Sequence, residues 1–195
     1  MSHQVIDPKL ARAQLRKQLI SKRLALSEKM RAHHTQAIIA HLLGLLQSHN
    51  PQCVSFFWPW KGEVDLRETL ALWQNAAPGR QIALPIVVEQ AAPLAFALWQ
   101  PTMLMTQDCY GIAMPLEKQW VRPDMMLIPV NGFDARGYRL GYGGGYFDRT
   151  LSAFTHRPFA AGIGFECARL KQLEISPFDI PMNALITEAG LFHCA

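Results

Sequence analysis

Residues 131–149 read NGFDARGYRLGYGGGYFDR and hold six glycines: Gly132, Gly137, Gly141, Gly143, Gly144 and Gly145. Glycine lets the backbone turn with positive φ and come close to a ligand. Successive backbone N–H groups, placed at the positive end of a helix, form an anion site. A helix is expected directly after the triple glycine, because Phe147, Leu151 and Phe154 recur at i, i+4 and i+7. Arg139 adds a planar cationic fork beside the loop. Together these residues suit phosphate. The plainer reading of the same glycines is a tight surface turn. The stretch is not a P-loop, which needs GxxxxGK followed by Ser or Thr, and it lies too late in the chain for a dinucleotide fingerprint. Asp148 stands three residues beyond Gly145. It reads either as a first-turn carboxylate that complements the helix dipole or as a magnesium ligand, since magnesium takes oxygen ligands from one or two carboxylates plus phosphates. Asp179, in SPFDIPMN, offers a second carboxylate if the C-terminal segment folds back.

The elements that must hold this loop follow from periodicity. Residues 8–24 read as a first helix with Pro8 in its first turn. Leu15 and Leu19 mark one face, and Arg12, Arg16 and Arg23 another. Ser27 caps a second helix whose stripe is Thr35, Ile38, Ile39, Leu42, Leu45 and Leu46. Residues 53–58 form a β-prone run, 66–76 a helix with Leu70 and Trp73 inward, and 81–87 and 94–99 two further strands. The continuous apolar run 124–130 (DMMLIPV) reads as a strand buried on both faces, followed by strands at 159–164 and 184–187. Strands alternating with helices predict a three-layer α/β/α fold with a mostly parallel, Rossmann-like sheet, in a single domain over residues 1–195.

Composition narrows the class. Half of the 195 residues are apolar or aromatic, enough for one sizeable core. The densest apolar run, 38–46, is interrupted by His41 and Gly44 and reads as a buried helix face rather than a membrane span. The opening MSHQVIDPKLARAQLRKQL lacks the pattern of a signal peptide, so a cytoplasmic protein is expected. Cys53, Cys109, Cys167 and Cys194 are scattered and form neither a disulfide framework nor a zinc knuckle. The formal charge is +4, with the basic excess on the first helix. That excess suits an anionic small ligand, a membrane surface or nucleic acid, and no nucleic-acid signature accompanies it.

The glycine-rich stretch GFDARGYRLGYGGGYFDR resembles the signature of the 5-formyltetrahydrofolate cyclo-ligase family, approximately GFD, a short gap, then G-x-R-L-G-x-G-x-G-Y-[YF]-D. Three further segments agree in order. ARAQLRKQLISKRLAL resembles the family's basic first helix, FFWPWKGEVDLRETL its strand and GE[VL]DT-like turn, and SPFDIPMNALITEAG its closing HDxPxDxxxTE segment. The resemblance implies an ATP- and magnesium-dependent carbon–nitrogen ligase. In the family reaction the 5-formyl oxygen attacks the γ-phosphate, N10 closes the ring, and 5,10-methenyltetrahydrofolate, ADP and phosphate result.

Carried over position by position, the resemblance implies ATP contacts at Arg12, Ala13, Gln14, Leu15 and Arg16, and at Arg139, Leu140, Gly141, Tyr142, Gly143, Gly144, Gly145, Tyr146 and Phe147. Arg139, Gly143, Gly144 and Gly145 would act on the reacting phosphate. Folate contacts fall on Trp58, Glu63 and the loop from Tyr142 through Gly143, Gly144 and Gly145 to Tyr146, and metal ligands on Asp148 and Asp179. A carboxylate suits the paired donors of a pterin edge, and an aromatic ring suits its flat face. Without the resemblance, Trp58 reads as core, Glu63 as a turn residue and the arginines as a solvated face. The chain departs from the family pattern at Leu66 (often Thr), Phe147 (often Tyr), Phe178 (His) and Asn183 (Asp), although Asn183 still offers an oxygen. The expected partners are small molecules, with no nucleic acid, no membrane and a monomeric enzyme. Two other readings compete. One is a sugar-phosphate or phosphoester enzyme of similar fold without ATP chemistry, which would leave Asp148 and the N-terminal arginines unexplained. The other is a nucleic-acid module built on the first helix, which would leave the glycine loop and Glu63 unused.

Overall fold

A computed structural model describes residues 7–194, so the ends of the expected 1–195 domain lie outside the described residues. In chain order the elements are α1 (Pro8–Leu24), α2 (Glu28–His49), β1 (Cys53–Ser55), α3 (Arg67–Asn75), β2 (Gln81–Ile86), β3 (Ala95–Leu98), β4 (Met105–Gln107), β5 (Ala113–Pro115), β6 (Trp120–Val121), β7 (Met125–Pro129), β8 (Gly132–Phe133), β9 (Arg139–Leu140), α4 (Tyr146–Ala153), β10 (Phe159–Ile163), β11 (Ala184–Thr187) and β12 (Gly190–His193). The two long helices start where the sequence provides caps. Asp7 accepts from the N–H of Lys9 ahead of Pro8, and Ser27 Oγ accepts from the N–H of Met30. α2 ends on Asn50 in the left-handed region at φ 43°, where its N–H reaches the carbonyl of Leu46.

The main sheet has eight strands in the order β12-β11-β10-β7-β1-β2-β3-β6. The centre, from β11 through β10, β7 and β1 to β2, is parallel throughout. The edges are antiparallel: β12 on β11, then β3 on β2 and β6 on β3. The sequence predicted the parallel centre and did not predict β12, β6 or the two small hairpins β4–β5 and β8–β9. These segments are two to four residues long, too short for alternation to register. The run expected over 53–58 forms a strand only at Cys53–Ser55; the Phe56 N–H still reaches the carbonyl of Ala83, and beyond it the chain leaves the sheet to form the site loop.

Alternation along the central strands builds two cores. Val54, Ile82, Leu84, Met125, Leu127, Ala161 and Ile163 face α2 and α3, meeting Ile38, Leu42, Leu45, Leu46, Leu70 and Trp73. Cys53, Ala83, Met126, Ile128, Ala160 and Leu185 face the other side, meeting Leu151 of α4, Phe133 and Met182. Each fully buried aliphatic side chain contributes about 1.5–3 kcal/mol relative to exposure. Leu66, where the family pattern has Thr, is fully buried in the first core and packs there as a hydrophobe. A third, smaller cluster docks α1: Leu19 meets Leu140 and Leu173.

The β8–β9 hairpin is pinned by one carboxylate. Asp134 is 1% exposed on its side chain and accepts from the N–H groups of Arg136 (3.0 Å) and Leu173 (3.0 Å) and from the Arg136 guanidinium (2.6 Å). Gly137 completes the turn at φ 83°, and a Cβ there would lie 2.6 Å from the carbonyl of Met182. Burial pushes the Asp134 carboxyl up, but the Leu173 N–H and the Arg136 guanidinium outweigh it and hold the group below its ordinary value. A depressed folded-state pKa stabilises the fold above the unfolded value and is lost as pH falls through the folded one. Asp134→Asn is therefore expected to cost about 3 kcal/mol at neutral pH. It should also flatten the acid limb of stability, measured as urea midpoints from neutral pH downward; an unchanged limb would show that Asp134 is not the clamp.

Candidate active site

In an open α/β sheet, ligands bind at the carboxyl ends of the strands where the winding direction reverses. Here the reversal lies between β1 and β7: from β1 the chain winds outward to β2, and from β7 it winds the other way to β10 and β11. The loop after β1 carries Trp58 and Glu63. The segment after β7 carries Asn131, the β8–β9 hairpin and the glycine loop. Packed across both is α1.

Tyr142 of the glycine loop donates its hydroxyl to Glu63 Oε1 at 2.6 Å, so the two segments touch. Glu63 Oε2 accepts from the N–H of Trp60, and the Glu63 side chain is only 5% exposed. Burial pushes its carboxyl above the ordinary value, against the lowering effects of the Tyr142 hydroxyl, the Arg23 charge and the Trp60 N–H. The Tyr142 hydroxyl is itself held up by burial and by the neighbouring Glu63 charge. The Trp60 and Tyr142 rings lie 5.0 Å apart, and Trp58 sits between the edge of Trp99 and the Arg67 guanidinium, 4.5 Å above its ring. A groove of about 330 Å³ runs beside Glu63, lined by Glu28, Arg31, Thr35, Gly62, Asp65 and Phe165 among others.

The glycine loop is held from both sides. Arg16 donates through Nε to the carbonyl of Gly141 at 2.6 Å, and its guanidinium lies against Gly143, where a Cβ would approach Nη2 to 3.0 Å. Gly143 adopts φ 100° and Gly145 φ 65°, backbone that L side chains rarely take. A Cβ on Gly144 would meet the Tyr146 ring at 2.7 Å. Tyr146 shares a 2.8 Å hydroxyl contact with Tyr110, at the tip of the β4–β5 hairpin. Arg149 donates to the carbonyl of Gly144. Burial, then repulsion from Arg12, lowers the Arg16 pKa. A half-buried guanidinium with a second one nearby is a ready site for an anion.

The two expected metal carboxylates lie on the same flank, each held by an arginine. Asp148 Oδ1 accepts from Arg139 Nη2 at 2.7 Å and from the N–H of Ile180 at 3.1 Å. Asp179 Oδ2 accepts from Arg12 Nη1 at 3.1 Å and from the N–H of Ser176 at 2.9 Å. Arg139 also feels the Asp179 charge, and it donates to the carbonyl of Ile180. The C-terminal segment therefore does fold back onto the loop. Among the described residues no cluster of three or more His, Cys, Asp or Glu is arranged around a common point. Asn183 does not join this flank. Its Oδ1 accepts from the N–H of Ala160, so the expected spare oxygen is spent on the interior strand β10. Phe178 is 82% exposed.

Other expected positions divide by side chain and backbone. Ala13 and Gln14 are exposed on α1, and Leu15 packs partly against the small α1 cluster. Leu140 is fully buried, so it can meet a ligand at this loop only through its backbone, and Phe147 packs partly against the second core. An open groove of about 890 Å³ begins beside Arg12, between Pro8 and Lys9 on one wall and residues 172–177 on the other.

Sequence reasoning missed Arg23, Asn131 and Tyr110. Arg23 had been grouped with Arg12 and Arg16, but it is 5% exposed and belongs to the buried side. The signal was present: Leu15, Leu19 and Arg23 follow at steps of four, one continuous helix stripe. Asn131 and Tyr110 lie in irregular backbone and left no periodic trace.

A scan of family models matches residues 8–188 to the 5-formyltetrahydrofolate cyclo-ligase family. The chain is 27% identical over 179 residues to the 5-formyltetrahydrofolate cyclo-ligase of Haemophilus influenzae, covering 88% of this chain and 94% of that one. It is 30% identical over 148 residues to the enzyme of the same name from Escherichia coli, covering 72% and 80%. Among solved structures it resembles the 5,10-methenyltetrahydrofolate synthetase of Aquifex aeolicus, with a TM-score of 0.78, 28% identity and coverage of 93% and 92%. The 5,10-methenyltetrahydrofolate synthetase of Mycoplasma pneumoniae gives 0.75, 25%, and 91% and 98%.

The half-buried Arg139–Asp148 pair sets a stability prediction. Arg139→Met takes the cation from the Asp148 carboxylate and leaves the Ile180 carbonyl without its donor. It should cost about 1–3 kcal/mol in urea denaturation, whereas Arg139→Lys should recover part of that loss.

Proposed function

The chain belongs to the 5-formyltetrahydrofolate cyclo-ligase family, and from that premise and the site's geometry we propose that it closes the ring of 5-formyltetrahydrofolate at the expense of ATP, releasing 5,10-methenyltetrahydrofolate, ADP and phosphate. The observation that carries the reading is the 2.6 Å hydrogen bond between Tyr142 and Glu63. It brings the carboxylate suited to a pterin edge against the loop suited to a triphosphate, and the chemistry requires that adjacency.

The formyl oxygen is a poor leaving group until it is phosphorylated. It attacks the γ-phosphorus in line, and the bond to the β–γ bridging oxygen breaks as ADP departs. The N10 lone pair then attacks the formyl carbon, N10 loses its proton, and the carbon–oxygen bond breaks to release phosphate. No side-chain nucleophile is needed, so the protein's task is alignment and charge neutralisation. Gly143 and Gly145 present backbone at close range, and Arg12 and Arg16 supply the positive field. The groove beside Arg12 takes the nucleoside. Glu63 accepts from the pterin, and the exposed parts of Trp58 and Trp60 offer it aromatic surface.

Magnesium fits the donors on the Asp148 flank. One carboxylate oxygen of each residue, Asp148 Oδ2 and Asp179 Oδ1, makes no hydrogen bond among the described residues, while its partner oxygen is fixed by an arginine and a backbone N–H. Bound there with the phosphates, the ion would neutralise charge on the departing ADP. Arg139 and Arg12 then act as positioning groups for the two carboxylates. The proposed enzyme is a monomer. No helix among the described residues is long and apolar enough to cross a membrane, and a cytoplasmic location fits the reading.

The deciding experiment incubates pure protein with 5-formyltetrahydrofolate and ATP and follows the methenyl absorbance. Product is expected only when both ATP and a divalent metal are present; unaltered folate with folded protein would end the assignment. Asp148→Asn should lower kcat by about 100-fold or more, and the loss should shrink at high magnesium. Asp179→Asn should be milder, because Asp179 is held by the more exposed Arg12. A magnesium titration in which Asp179→Asn is the worse of the two would reverse that ranking.

A further inference from the structure

Arg23 is the most completely engaged arginine near the site. It donates through Nε to the carbonyl of Lys61 (2.9 Å), through Nη1 to Asn131 Oδ1 (2.9 Å) and through Nη2 to the Tyr142 hydroxyl (3.1 Å). Nη2 also lies 3.9 Å from Glu63 Oε1. Arg23 and Asn131 are both buried, at 5% and 1% exposure. Asn131 gives its oxygen to Arg23 and leaves its Nδ2 without any partner. An unpaired buried donor is costly, so the amide is oriented by the arginine rather than by its own best satisfaction.

We propose that Arg23 is a positioning residue for the folate half of the site: it fixes the Glu63 carboxylate, the Lys61 backbone and the Tyr142 hydroxyl in one arrangement. The inference rests on the reading that Glu63 receives the pterin. It places Arg23 apart from Arg12 and Arg16, which lie on the same helix but serve the phosphate side.

The geometry gives the reason. A carboxylate buried to this degree needs a fixed cation, or it takes up a proton and loses half of its accepting capacity. Other charges surround Glu63. Lys61 and Asp65 lie on its own loop, Glu28 and Arg31 line the groove from α2, and Tyr142 faces it from the glycine loop. Among these Arg23 is the cation that reaches Glu63 as an ion pair, and it does so while bound to three further groups from two segments. Arg31 instead approaches Gly62, where a Cβ would lie 3.0 Å from its Nη1. A lysine at position 23 can supply the charge but cannot make all of these bonds.

The sign of the pH effect follows. Glu63 accepts two donors only when ionised, and its carboxyl already sits above the ordinary value. Folate binding should weaken as pH falls through that raised value. Removing Arg23 raises it further, so the weakening begins at higher pH.

The test measures KM for 5-formyltetrahydrofolate and for ATP across roughly pH 5 to 9. Arg23→Gln should raise the folate KM about tenfold or more, leave the ATP KM within about twofold, and move the acid limb for folate up by about one pH unit. Arg23→Lys keeps the charge and the aliphatic stem. It should leave the acid limb in place while raising the folate KM severalfold. Glu63→Gln should remove the limb in either background. An unmoved limb in Arg23→Gln, folate and ATP KM rising together, or an unchanged folate KM in Arg23→Lys would each overturn the proposal, the last even if the glutamine variant does not fold. Should Glu63→Gln itself leave the folate KM unchanged, the folate reading of Glu63 fails. The Glu63 carboxyl titration, followed by carbon-13 NMR on ligand-free protein, then decides the Arg23 part alone: an upward shift in Arg23→Gln supports it, and no shift refutes it.

Discussion

Where β1 lies parallel to β7, with Val54 opposite Met125, the chain on either side winds away in opposite directions. Parallel strands need crossovers, so helices and long connections must cover both faces. At that seam the two outgoing loops have no crossover between them, and their backbone is free to bend toward a ligand. One loop brings an acidic and aromatic group, the other a glycine-rich backbone. Neither is long enough to close the crevice alone. α1 completes it from outside the sheet, docked by the Leu19 cluster and by Arg12, Arg16 and Arg23.

The electrostatic design is a division of arginines. Arg139 and Arg23 are buried and their bonds go to protein groups; Arg16 is half committed, with one nitrogen on the Gly141 carbonyl and the rest against the open loop. Fixed dipoles and charges that are already oriented do not have to reorganise during reaction, and a phosphoryl transfer gains most from that. Arg139, Arg23 and the more exposed Arg12 each face a carboxylate, and Arg16 alone of the four is set against the open glycine loop.

The sequence revealed most of the frame. The Pro8 helix start, the Ser27 cap, the two-sided apolar run at 124–130 and the stripe through Ile38, Leu42 and Leu45 are local patterns, and local patterns survive in a single chain. The loop chemistry was legible for the same reason: glycines at 143 and 145 are required by φ values of 100° and 65°. The hidden features are those fixed by distant partners. The Leu15–Leu19 stripe marks Arg23 as facing inward, but its partner Asn131, 108 positions later, is nowhere visible in the sequence. Asn183 looks like a spare oxygen until β10 claims it. The antiparallel edge strands left too few residues to show a period.

The pairing of Arg12 with Asp179 spans 167 positions, and its bond to the Glu174 carbonyl spans 162. Among the described elements α1 is made earliest, yet the groups that receive Arg12 are among the latest made. During synthesis Arg12 is without its partners, and loop closure over nearly the whole chain must precede the reward of that contact. The sheet and α2 can condense first, because β1, β2 and β7 are already present by Pro129. Docking of α1 is therefore a late step, and the crevice is assembled only once translation has passed the closing segment. A chain arrested before residue 174 would carry β1 through β10, the glycine loop and Glu63, and still lack β11, β12 and the Glu174 and Asp179 groups that receive Arg12.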